Sequence, residues 1–157
     1  MGEMREILFR GKDLQEQNGW LYGYFYKSDI NKRERESGKA TLIFTPNCDT
    51  FIYCPEYHNS WMVKAETVGQ YTGLTDKNGN RIFEGDIVKG ASEYFGNCSL
   101  NQKAVVLYDK GQFLLSFGDT LAECNKLEDV EVVGAWHDDI EVIGNIHDNL
   151  AELEMIE

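Results

Sequence analysis

Two apolar runs flank Asn78-Gly79 in the stretch QYTGLTDKNGNRIFEGDIV, residues 70–88. Asn and Gly both tolerate positive φ, and a two-residue turn built from them matches the twist of the strands it joins. The stretch therefore reads as strand, turn, strand. Glu84-Gly85-Asp86 then makes a second turn, leading into a strand at Ile87-Val88. Its glycines have a complete structural use at turn positions.

The same alternation recurs along the chain and favours sheet over helix. EILFR (6–10) places Ile7 and Phe9 on one face. WLYGYFY (20–26) sets Trp20, Tyr22, Tyr24 and Tyr26 against Leu21 and Phe25, with Gly23 marking a bulge or a close backbone approach. NKRERESGK (31–39) has no apolar residue and reads as an exposed loop. ATLIF (40–44), FIYC (51–54) and WMVKAE (61–66) follow, separated by Pro46 and Pro55, where strands should stop. GASEYFGNCSLNQ (90–102) is a polar loop. AVVLYD (104–109) and FLLSF (113–117) form a hairpin around Lys110-Gly111. In TLAECNKL (120–127), Leu121, Cys124 and Leu127 have helical spacing, with Asp119 or Thr120 as the cap.

VEVVGAWHDD (130–139) is followed directly by IEVIGNIHDN (140–149), identical at five of ten positions. Two copies of so short a unit are too few for a solenoid. They read as two consecutive strands with a turn at His137-Asp138-Asp139, and NLAELEMIE (149–157) as a short C-terminal helix. About ten short strands and little helix predict a mainly β protein, a barrel or a pair of small sheets. Boundaries fall at the charged loop 27–39 or at Glu66-Thr67. The expected division is an N-terminal β lobe over 1–66 and a C-terminal lobe over 67–157, or a single domain sharing one core.

A chain of 157 residues buries roughly 70% of its unfolded surface, so it needs no metal or disulfide for stability. The start MGEMREILFRG has no apolar run of signal length, and no stretch reaches the length that spans a bilayer. Cys48, Cys54, Cys98 and Cys124 are accordingly expected as free thiols in a reducing cytoplasm. The formal charge of −12 is unevenly placed, because residues 119–157 hold Lys126 alone against twelve carboxylates. A phosphate backbone is repelled there.

Chemistry is sparse. Cys48, Cys54 and His58 lack the paired short knuckles of a zinc site. His137-Asp138 and His147-Asp148 suit a divalent metal or acid–base work, yet neighbours on a strand point to opposite faces unless they sit in a turn. The run Glu128, Asp129, Glu131, Asp138, Asp139 and Glu141 lacks the alternating pattern of a calcium loop and reads as a solvated edge. The common nucleotide-binding and hydrolase motifs are absent from the sequence. No cofactor, metal or catalytic set is expected. The aromatic ladder Trp20, Tyr22, Tyr24 and Tyr26 reads as packing or a protein contact before a base-stacking platform, which needs a basic groove.

MREILFRGKD (4–13), GWLYGYF (19–25), QYTGLTDKNGNRIFEGDIV (70–88) and EVIGNIHDN (141–149) together resemble the YopX family, small proteins of bacteriophages and prophages. The resemblance implies a β-rich fold whose C-terminal lobe is an SH3-like barrel, and it carries over no catalytic residue. The family commonly has an aromatic residue where this chain has Gly11-Lys12, and a tyrosine where it has His147. The expected function is that of a non-enzymatic phage accessory protein, cytoplasmic in the host. It would bind a protein partner and self-associate as a homo-oligomer, through Trp20, Tyr22, Tyr24, Tyr26, Tyr71 and Phe83. The alternatives are a nucleic-acid role, by the aromatic stripe or by DNA mimicry through the acidic quarter, and a small metal-dependent hydrolase using the His-Asp pairs.

Overall fold

A computed structural model describes residues 4–28, 49–90 and 102–154. Its contacts group into two units, Met1–Gln70 and Tyr71–Glu157. The readings of 31–39, ATLIF, Pro46, Cys48, Cys98, most of 90–102 and the end of NLAELEMIE (155–157) lie outside the described residues.

In the first unit, β1 (Phe9–Lys12), β2 (Trp20–Lys27), β3 (Thr50–Cys54) and β4 (Asn59–Met62) form an antiparallel sheet in the order β4-β3-β2-β1. Gly69 and Gln70, which open β5 (Gly69–Thr75), pair with the outer side of β1. The first strand starts later than EILFR suggests: Phe9 opens it, and Ile7 is exposed. One face of the sheet carries Leu21, Ile52 and Cys54, which join Val63 in a core flanked by Phe9, Phe25, Trp61 and Val68. Pro55 ends β3 as expected and begins a 3-10 turn, Pro55–Tyr57, closed by His58 at φ 50°. In the β1–β2 connection the buried Asp13 carboxylate accepts from the Gln15 and Asn18 backbone N–H groups, both at 3.0 Å, and from Asn18 Nδ2 at 2.8 Å. These bonds satisfy loop donors that have no ladder partner.

In the second unit, the remainder of β5 pairs with β6 (Arg81–Phe83). A five-stranded antiparallel sheet follows, ordered β10-β9-β8-β7-β11, from β7 (Asp86–Gly90), β8 (Lys103–Asp109), β9 (Gln112–Phe117), β10 (Val130–Val132) and β11 (Ile140–Asn145). Both faces of this sheet are covered. Val88, Ala104, Val106, Leu115 and Phe117 pack with Ile82, Val133 and Ile140. Ile87 and Val105 pack on the other side with Cys124 and Leu153 from two short helices, Leu121–Cys124 and Leu150–Glu154. Double coverage explains why AVVL is apolar without a break.

The mainly β expectation holds. The barrel closure implied by the family resemblance does not: β10 and β11 are opposite edges of an open sheet. The near-repeat also departs from two strands. Its first copy gives three strand residues and then a helical turn, Val133–Trp136, so that Val133 is buried and Trp136 packs against the same core. Around Asn78-Gly79 a hairpin forms, but its loop runs over five residues. Asp76 N donates to Asn80 O, and Gly79 alone takes positive φ, +83°. The Lys110-Gly111 hairpin matches expectation, with φ of 46° and 84° and Asp109 opposite Gln112.

Thr120 caps the helix Leu121–Cys124 in a reciprocal box: its hydroxyl accepts from Glu123 N at 3.2 Å, and the Glu123 carboxylate accepts from Thr120 N at 3.2 Å. Thr120→Ala is expected to cost about 1 kcal/mol. Urea unfolding checks this, with Thr120→Ser restoring most of the loss.

Candidate functional site

The tyrosine row of β2 has the geometry that alternation predicts. Tyr22, Tyr24 and Tyr26 are 45%, 55% and 40% exposed, while Leu21 just before them faces the core and Phe25, between the last two, packs against it. The register adds neighbours that no single segment reveals. Arg10 and Lys12 of β1 lie opposite Tyr22 and Trp20, and Tyr53 and Phe51 of β3 lie opposite Tyr24 and Tyr26. Residues directly opposite share a face. Tyr26 stacks on Phe51, with centroids 5.2 Å apart and planes 13° from parallel. The Arg10 guanidinium lies 4.6 Å and Lys12 Nζ 5.7 Å from the Trp20 ring centroid, within cation–π range.

Tyr71 and Phe83 do not belong to an exposed surface, contrary to the sequence reading. They are 6% and 3% exposed and pack against each other with centroids 5.4 Å apart, while the Arg81 guanidinium lies 5.4 Å from the Tyr71 ring. Alternation says that two sets of side chains face opposite ways; it does not say which set is wet.

The first unit also holds a cavity that the sequence did not announce. The β2–β3 ladder ends at Tyr24 opposite Tyr53, and beyond it the chain turns through Pro55–Tyr57 while β2 continues to Trp20. The space left, about 350 Å3, is lined by Trp20, Tyr22, Tyr57 and Trp61, with Glu56 among them. Tyr57 and Trp61 meet edge to face, centroids 5.8 Å apart at 87°. Tyr57 lies in a turn with no periodic signal, and Trp61 reads from sequence as one more strand residue.

The other candidates resolve as follows. Cys54 and Cys124 are free and buried, and burial pushes both thiols up. His58 is exposed in its turn. His137 and Asp138 sit in a turn after all, and their side chains meet at 3.3 Å; His137 Nδ1 also lies 2.9 Å from Thr75 O. Asn145 closes the other pair's turn, its Oδ1 accepting from the backbone N–H groups of His147 and Asp148, both at 3.0 Å. Among the described residues no three His, Cys, Asp or Glu side chains gather as a metal-holding group. Glu131 and Glu141 lie on β10 and β11, at opposite sheet edges, and Glu141 pairs with Lys77 at 3.7 Å. Among the described residues no helix is long and apolar enough to cross a membrane.

Residues 8–154 match the model of a family described as "YopX protein". Among solved structures, the chain is similar to protein EF1440 from Enterococcus faecalis, at 24% identity over 97% of this chain and 100% of that one, with a TM-score of 0.48. No curated protein matches.

Proposed function

We propose that this chain, which belongs to the YopX family, is a phage- or prophage-encoded accessory protein that acts in the host cytoplasm by binding another protein, without catalysis. The observation that carries the reading is the row of Tyr22, Tyr24 and Tyr26, large aromatic side chains held in water on a paired strand. Tyrosine is enriched where proteins meet, because it buries much area at a small entropic cost. The flanking Phe51, Tyr53 and Met62 widen the same face over β3 and β4.

The double variant Tyr22→Ser/Tyr24→Ser is expected to lose about 1 kcal/mol of stability through the cross-strand pairs. It is also expected to lose the partner that the tagged wild-type chain retains from host lysate. Equal retention by both proteins, or a wild-type chain that retains nothing and sediments as a monomer, contradicts the reading.

A nucleic-acid role through the same face is the second reading, favoured by the half-buried Lys12 opposite Trp20. Stacking on aromatics beside cations is how single strands are held without sequence preference. It requires a labelled single-stranded oligonucleotide to gain anisotropy at low salt and to lose it as salt rises. A flat titration removes it.

A further inference from the structure

The cavity beside β2 differs in chemistry from the tyrosine row. Among the described residues its lining holds four aromatic residues, Trp20, Tyr22, Tyr57 and Trp61, the polar Asn18, and one charged residue, Glu56. Leu21 and Cys54, 5% and 2% exposed, also line it and supply no charge. Among the described residues Glu56 makes no ion pair. Arg10 and Lys12 approach the Trp20 ring but do not line the cavity.

Aromatic faces carry negative potential, and Tyr57 and Trp61, which meet edge to face, both line the cavity. An exposed carboxylate in the lining of such a space, as Glu56 is, attracts a cation and repels an anion. Ring walls attract any alkylammonium cation, most strongly one whose charge is spread over carbon, because it sheds its water easily. We infer that this cavity is a binding site for an alkylammonium group, carried either by a small free quaternary ammonium compound or by a lysine side chain of a polypeptide. The volume of about 350 Å3 is ample for either.

The inference does not require the tyrosine row to be an interface. Glu56 and Tyr57 lie outside that row, so their variants separate the two proposals. Two of the chain's three tryptophans, Trp20 and Trp61, line the cavity, and intrinsic fluorescence reports its occupancy.

The test titrates the full chain with choline, with its uncharged carbon isostere 3,3-dimethylbutan-1-ol, with N-acetyl-lysine methylamide and with glucose. Choline or the lysine derivative is expected to saturate the signal in the millimolar range, about tenfold more tightly than the neutral alcohol. The tighter of the two cations identifies the source of the ammonium group. Glu56→Gln is expected to weaken cation binding several-fold and to leave the alcohol unchanged. Tyr57→Leu, which keeps an apolar wall but removes a ring, is expected to weaken cation binding alone. Equal binding of choline and the alcohol overturns the inference, as does saturation by glucose without a response to either cation. So does the absence of any saturable response up to about 100 mM, where no specific site remains.

Discussion

Gly23→Ala is expected to unfold the first unit or to destabilise it by about 3 kcal/mol or more, at the upper end of what overpacking costs. A Cβ at Gly23 falls 1.9 Å from Tyr53 O, 2.8 Å from Tyr53 C and 3.2 Å from Cys54 Cα. All three are backbone atoms, so no side-chain rotation relieves the clash. Relief requires β3 to move away from β2. The next rung, Tyr24 opposite Tyr53, opposes that movement, as do Ile52 and Cys54, which are buried in the core on the same strand. Gly19→Ala is the contrasting variant. Gly19 has φ +66° but nothing within 4 Å of an added Cβ, so its cost is backbone strain alone, about 1 kcal/mol. Guanidinium unfolding followed by Trp20 and Trp61 fluorescence compares the two. Equal losses would show that β3 yields and that the approach at Gly23 is not a constraint.

The close approach at Gly23 was legible as one of two options because glycine inside a strand has few uses. Its partner, the carbonyl of Tyr53, was not, since nothing in WLYGYFY specifies the register against FIYC. The division is general in this chain. Lys110-Gly111 and the Thr120 cap are set by residues at most three apart; the hairpin read correctly, and the cap was one of the two offered, Asp119 or Thr120, its box with Glu123 going unread. The tyrosine row follows from period two alone. Features set by register or by distant cover did not read. Tyr71 and Phe83 alternate like the β2 tyrosines but fall in a core. VEVVGAW satisfies period two, yet Val133 and Trp136 also stand three apart, and a helical turn carries both into the core. The second copy has Asn145 and Ile146 where the first has Ala135 and Trp136, and it stays extended through Asn145. Barrel closure depends on whether β10 and β11 meet, which no local pattern encodes. The cavity escaped for the same reason: Tyr57 and Trp61 come beside Trp20 only once β3 has ended and the chain has turned.

Four buried polar side chains, Asp13, Asp76, Asp86 and Asn145, accept hydrogen bonds from the backbone of turns or, for Asp86, of the strand residue that enters one, Phe83. Among these four, Asp76 also reaches into a distant strand. Its carboxylate, 4% exposed, accepts from Asn78 N at 2.9 Å, Asn80 N at 2.8 Å, Asn80 Nδ2 at 3.3 Å and, across to β11, Val142 N at 2.9 Å. Removing the acceptor leaves Val142 N, inside the fold, without its partner, at a cost of ~1–3 kcal/mol, while the N–H groups of the exposed Asn78 and Asn80 turn to water at a smaller loss. Asp76→Ala is therefore expected to destabilise the second unit by about 2 kcal/mol. Asp76→Asn, which keeps one carbonyl acceptor, is expected to lose less. Burial by itself pushes the Asp76 carboxyl up, but the hydrogen bonds from Val142, Asn80 and Asn78 outweigh it and hold the group below its ordinary value of 3.8. A carboxyl depressed in the folded state stabilises fully above its unfolded pKa and loses that contribution as pH falls through the folded one. The stability gap between wild type and Asp76→Asn should accordingly be constant from neutrality down to about pH 5 and narrow below about pH 4. Urea midpoints measured across that range decide the matter. A gap that stays constant down to pH 3 would mean that the Asp76 charge contributes nothing and that the loop is held by its shape alone.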